Sequence, residues 1–161
     1  MVRITFDHSA MIFYDRHPVI GELKKLEDDG KVRIYHAQNL NRDLGSFSKM
    51  EEKMYERLRH IIFDKKQQDL TLTEHGDLSL LINHMKTKRD FFLTLEKGKY
   101  KSLEKHHGLK IRFPDEDFLD EVKEGIEARD KIEKRKAREA ARIVKAKRRP
   151  SRRVKKSRKK R

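Results

Sequence analysis

The sequence predicts an α/β protein: a three-layer α/β/α sandwich around a mostly parallel sheet of four to five strands, followed by a basic helix and tail. Two observations carry this. Short apolar runs of strand length alternate with stretches of helical periodicity in a βαβα order, which is how a parallel sheet is covered on both faces. Charge is also segregated along the chain. Of the 161 residues, 35% are hydrophobic and 43% charged, a balance that supports a core only if the charge collects elsewhere. Residues 126–161 hold 19 of the 42 Lys and Arg against four of the 27 acids, a net +15, which leaves residues 1–125 with 23 of each and no net charge. The chain therefore reads as a domain over 1–125 and a basic appendage over 126–161.

Val2 to Phe6 alternates apolar with polar or charged residues and ends at Asp7, so it reads as the first strand, with Asp7-His8-Ser9 as the turn out of it. Residues 10–27 suit a helix interrupted or restarted at Pro18. Ile20, Leu23 and Leu26 mark its face, and Asp28-Asp29-Gly30 ends it. Val32, Ile34 and Tyr35 lie in a second strand ending near Ala37. Residues 38–43 form a loop passing into a short helical turn, which Gly45-Ser46-Phe47-Ser48 breaks. Ser48 and Glu51 make a capping box for a helix over about 50–63, lined by Met50, Met54, Leu58, Ile61 and Ile62.

After a polar connection, Leu72 to Gly76 leads into a helix opened by Asp77, with Leu78, Leu81, Ile82 and Met85 on one face. Residues 91–95, Phe-Phe-Leu-Thr-Leu, have the length and aromatic content of a buried strand closed by Glu96. A helix of roughly 15 Å and a strand of roughly 16 Å match in length, so the two acids return to one edge. Lys97-Gly98-Lys99 reads as a turn and 99–107 as a helix stopped by Gly108. Residues 109–113 form an edge-like strand ending at Pro114, and 115–125 start a helix with Phe118, Leu119 and Val122 on one face.

In parallel sheets ligands gather outside the carboxyl ends of the strands, and helices running back against the strands put their N-termini there. Asp7 and Glu96 end strands, while Asp43 and Asp77 begin helices, so all four are expected to converge. Glu51 or Glu52 could fill the position of Asp43, and Asp90 belongs to the opposite edge or a solvated turn. Each acid also has an ordinary role open to it, as a turn residue, a cap or a macrodipole partner. As a group they repel one another, which is tolerable only with a bound cation or shared protons. Oxygen ligands suit Mg²⁺, and such ions lower the pKa of a water and neutralise charge building on a phosphate. Ser9 and Thr94 are candidate donors to the carboxylates. No Ser/His/Asp triad, phosphate-binding Gly-rich loop or His-Glu-x-x-His run offers other chemistry.

This ordered set resembles the PIN-domain ribonucleases over about residues 1–120. The acid ending strand one and followed by x-Ser is Asp7-His8-Ser9. The acid after strand two is Asp43, in VRIYHAQNLNRDL; the helix-opening acid is Asp77; the strand ending in Thr-x-acid is Thr94-Leu95-Glu96. Asp stands at 43 where Glu is usual, and Glu at 96 where Asp is usual. The resemblance implies a PIN-like fold and a Mg²⁺- or Mn²⁺-dependent endoribonuclease. Asp7, Asp43, Asp77 and Glu96 would be its catalytic and metal-binding residues, RNA its substrate, and an antitoxin or a second copy its protein partner. It also admits a catalytically weakened, RNA-binding relative, and leaves a toxin and an RNA-processing enzyme unseparated. No small-molecule cofactor is expected.

Residues 121–147 are rich in helix formers, with Ile126, Ile132, Ala140, Ile143 and Val144 as a thin apolar stripe. Beyond Pro150 only Val154 is apolar, so that stretch is expected to be disordered until bound. The cations Lys145, Lys147, Arg148, Arg149, Arg152, Arg153, Lys155, Lys156, Arg158, Lys159, Lys160 and Arg161 would hold phosphate backbones without reading sequence. The broad apolar face of a membrane-surface helix is missing. With no cysteine, no apolar signal core and no run of membrane-spanning length, the expected setting is soluble and cytoplasmic, away from membranes.

Overall fold

The computed structural model describes residues 1–36 and 48–147. Its sheet is α/β and all-parallel, built from β1 (Val2–Phe6), β2 (Val32–Tyr35), β3 (Phe91–Leu93) and β4 (Ile111–Arg112) in the order β2-β1-β3-β4. The pleat sorts the strand residues onto two faces. Val2, Ile4, Phe6, Phe91 and Leu93 point to one side, where they pack with α1 (His8–Ile12), α2 (Pro18–Asp28) and the start of α6 (Glu116–Lys147) through Ala10, Val19, Ile20, Leu23, Phe118 and Val122. Phe92 and Ile111, paired in register, point to the other side. There they meet α3 (Lys49–Ile62), α4 (Leu72–Thr87) and α5 (Lys97–His107) through Leu58, Leu78, Leu81, Tyr100 and Leu103. Helices therefore cover both faces of the sheet.

The strand order determines where a site can form. From β1 the chain first moves outward to β2, then crosses back over β1 to β3 and continues outward to β4. The connections diverge between β1 and β3, the switch point at which α/β sheets leave a crevice beyond the strand ends. The ladder holds these two ends together: Asp7 N–H donates to Leu93 C=O at 3.1 Å.

Several boundaries differ from the sequence reading. The helix expected over 10–27 is two helices, and Pro18 takes the first position of the second, where its missing N–H costs nothing. Asp77 does not open its helix. Thr71 does, through a capping box with Glu74, so α4 starts at Leu72 and Asp77 sits in its second turn. Residues 97–98 are helical rather than a turn, since α5 starts at Lys97 and ends at Gly108, which has the left-handed φ of 62°. The expected capping box of Ser48 and Glu51 is present.

The general expectation that helices run back from the carboxyl edge fails for α3. Its N-terminal Glu51 reaches Lys86 near the end of α4, and Lys65, just past its C-terminus, reaches Glu74 near the start of α4. The two helices form an antiparallel hairpin. The start of α3 therefore lies at the amino edge of the sheet.

The chain divides into two units, Met1–Ile126 and Glu127–Arg161. Among the described residues, no helix is long and apolar enough to cross a membrane.

Candidate metal centre

Three of the four predicted acids come together. Asp7, Asp77 and Glu96 each offer a carboxylate oxygen, and these atoms lie within 4.8 Å of one another. Asp43 lies outside the described residues, as do the calls on the 38–43 loop. Neither of its stand-ins joins the group: Glu51 is engaged by Ser48 and Lys86, which hold its carboxyl down at about 2. Asp90 accepts from Arg3 N–H at 2.7 Å, at the start of β1.

Each acid is delivered by a different local device. Asp7 directly follows β1 and caps α1, its Oδ1 accepting from Ala10 N–H at 2.9 Å and from Ser9 Oγ at 2.7 Å. Asp77 reaches across from α4 so that its Oδ1 accepts from His8 N–H at 3.1 Å. Glu96 is the residue before α5 but makes no side-chain cap. Ser9 stitches the two strand ends together, its Oγ accepting from Leu95 N–H at 2.9 Å and lying 3.3 Å from Thr94 Oγ1. Thr94 in turn accepts from Glu96 N–H at 2.9 Å. Ser9 is thus a direct donor to a carboxylate, while Thr94 orients the backbone that carries Glu96.

The capping roles account for only half of Asp7. The residue is fully buried, and its Oδ2 has no hydrogen-bond partner. A buried acceptor without a donor carries a desolvation cost of about 1–3 kcal/mol or more. Burial pushes the Asp7 carboxyl up; the hydroxyls of Thr94 and Ser9 and the Ala10 N–H oppose this, and the neighbouring Asp77 adds to it. The Tyr100 hydroxyl is likewise buried with no hydrogen bond of ordinary geometry. Burial, then the charges of Asp77, Asp7 and Glu96, push its pKa far up, so it stays protonated.

The residue that sequence reasoning missed is Lys99. Its Nζ donates to Asp77 Oδ2 at 3.2 Å and to Glu96 Oε2 at 3.1 Å. Burial works against its charge, but Asp77 and Glu96 outweigh that and keep it a cation. The rings of Phe63 and Tyr100 lie 4.6 Å and 5.4 Å from the ammonium, a further attraction for a cation. The spacing of Glu96 and Lys99 is the signal that could have found it, because three residues apart are neighbours on a helix. It was hidden by reading 97–99 as a turn.

Compared with protein-family models, with curated proteins and with solved structures, the chain matches none. What the centre can do rests on its own donors. They are all oxygens, the choice of a hard divalent cation. Opposite ligands on an octahedral Mg²⁺ at about 2.0–2.1 Å stand about 4.2 Å apart, slightly closer than the 4.8 Å spread found here. Glu96 is half exposed, at 52%, and free to supply the small closure. The donor set and the orphaned Asp7 oxygen both fit such an ion.

Of the basic tail, Lys145 is exposed near the end of α6. The cations from Arg148 to Arg161 lie outside the described residues. Ile132, Ile143 and Val144 of the apolar stripe are about half exposed, whereas Ile126 packs on the core.

Proposed function

We propose that this protein is a metal-dependent phosphodiester hydrolase of PIN type acting on RNA. Asp7, Asp77 and Glu96 would hold Mg²⁺ or Mn²⁺, with Asp43 as the expected fourth acid, and the basic tail would anchor the RNA backbone. The observation that carries the reading is the Oδ2 of Asp7, buried without a donor in a group of carboxylates that already repel one another. A protein gains nothing structurally from leaving that atom unpartnered; a cation satisfies it. The bound ion would supply an activated water and charge neutralisation at the phosphate.

The chain's own residues do the remaining work. Ser9 and the Ala10 N–H hold one oxygen of Asp7 and leave the other for the ligand. The His8 N–H fixes Asp77. Thr94 sets the backbone from which the more mobile Glu96 closes. RNA as the substrate comes from the resemblance to PIN-domain ribonucleases and from the net +15 of residues 126–161, whose affinity for phosphate backbones would be independent of sequence.

Purified protein should cleave RNA in Mg²⁺ or Mn²⁺ and lose the activity with chelator. Asp7→Asn and Asp77→Asn should each lower the rate by at least about a hundredfold, as loss of an outer or inner metal partner does, while RNA binding persists. Cleavage unaffected by either substitution overturns the assignment. A second reading, a non-catalytic RNA-binding protein on the same fold, is favoured by one feature: Lys99 already neutralises part of the acid group. It expects salt-sensitive RNA binding that disappears on removing 126–161, and no metal-dependent turnover.

A further inference from the structure

The position of Lys99 raises a question that the hydrolase reading leaves open. A divalent ion held by Asp77 and Glu96 needs the oxygens that Lys99 now occupies. Asp77 Oδ2 and Glu96 Oε2 are both within 3.2 Å of the same ammonium, and an ammonium cannot share that space with a dication without strong repulsion. We infer that Lys99 is a tethered competitor for the divalent cation, closing the acid centre in the metal-free protein and leaving it when the ion binds. The inference rests on the metal-site reading above.

Three features of the surroundings support a residue able to adopt two positions. Lys99 is at the third position of α5, and its backbone is anchored independently, with its N–H donating to Glu96 C=O at 2.9 Å. Only the flexible side chain has to move. Its two carboxylate partners are unlike: Asp77 is buried and held by the His8 N–H, while Glu96 is half exposed and otherwise unrestrained by its side chain. Half of the lysine's grip is therefore on a mobile partner. Finally, Asp7 is not engaged by Lys99, so one ligand oxygen stays available for an arriving ion while the lysine is still in place.

The consequence is a threshold. Divalent binding must work against two charge-assisted hydrogen bonds, so apparent affinity is set by Lys99 as well as by the acids. Removing the ammonium should tighten binding even though it removes no ligand and adds none.

The test is Mn²⁺ binding to the metal-free full-length chain without RNA, followed by electron paramagnetic resonance of the free ion. Lys99→Met keeps the length of the stem without the charge and should bind Mn²⁺ about tenfold more tightly or better. Lys99→Arg keeps the charge and should stay near the wild-type affinity. Asp7→Asn should lose the site in either background, which locates the ion. Lys99→Gln, checked by its thermal melt, replaces Lys99→Met if the latter does not fold. Equal or weaker binding by the uncharged variants, with the site still lost in Asp7→Asn, overturns the competition and leaves the metal site standing. Equal tightening by Lys99→Arg also overturns it, because charge would not be the cause. No Mn²⁺ binding by any form overturns both the competition and the metal site.

Discussion

Asp7 shows how a single side chain can be structural and poised at once. One oxygen caps α1 and accepts from Ser9; the other is buried and unpartnered. Its folded-state pKa is raised, chiefly by burial. A carboxyl with a raised folded pKa binds its proton more tightly in the native state. Ionising it therefore costs stability as pH climbs through that value, and the cost is fully present at neutral pH. Asp7→Asn keeps an acceptor at the capping position and removes the charge. In metal-free buffer at pH 7 it should be as stable as the wild type or more so, by about 0.5–2 kcal/mol, and the gain should shrink on acidification. Urea unfolding of both proteins at pH 4 and pH 7 measures this. A variant clearly less stable than wild type at pH 7 would mean that Asp7 is there for the fold. At this scale the sequence was informative about types and poor about partners. Asp7, Asp77 and Glu96 were identifiable because a parallel sheet sends strand ends and helix starts to one edge. Lys99 was not, because its role depends on which atoms it reaches.

Helix beginnings, more than helix interiors, decide where the site residues stand. The Ser48 capping box could be read directly, since Ser-x-x-Glu preceded an obvious periodic stretch. The equivalent signal at Thr71-x-x-Glu74 preceded Leu72, which is 91% exposed, so the apolar pattern there did not announce a helix. Moving the start of α4 back to Leu72 changes Asp77 from a capping residue into one presented from the second turn. In that position it reaches His8 and Lys99 instead of its own helix terminus. Thr71→Ala removes the Oγ that accepts from Glu74 N–H and should cost about 1 kcal/mol, measured as a shift in the urea midpoint at unchanged slope. No change in the midpoint would show that tertiary packing alone fixes the start of α4. Hairpin formation by α3 and α4 was not legible either. Periodicity gives the length of a helix and its buried face, but not its direction, and the pairs that set the direction here, Glu51–Lys86 and Lys65–Glu74, join residues far apart in sequence.

Across the whole molecule, the order of elements and the distribution of charge were the most legible features. Alternating strand and helix patterns predicted a parallel sheet, and the sheet is parallel throughout. The order β2-β1-β3-β4 puts the crevice between β1 and β3, the two strands whose ends carry Asp7 and Glu96. Net neutrality over 1–125 and +15 over 126–161 separate the two tasks of the proposed enzyme: a site that needs carboxylates close together, and an anchor that needs cations. If they were mixed along the chain, each would neutralise the other. Lys99 is the local exception, a single cation kept inside the acid centre. The central claim, that Asp7, Asp77 and Glu96 form a divalent-cation site, is tested most directly by anomalous diffraction from a crystal of the full chain grown with Mn²⁺. The account predicts a manganese peak at about 2.0–2.2 Å from Asp7 Oδ2 and from oxygens of Asp77 and Glu96, with the Lys99 ammonium withdrawn from both. A map with no peak there, and Lys99 still bridging Asp77 and Glu96 at saturating Mn²⁺, would contradict it.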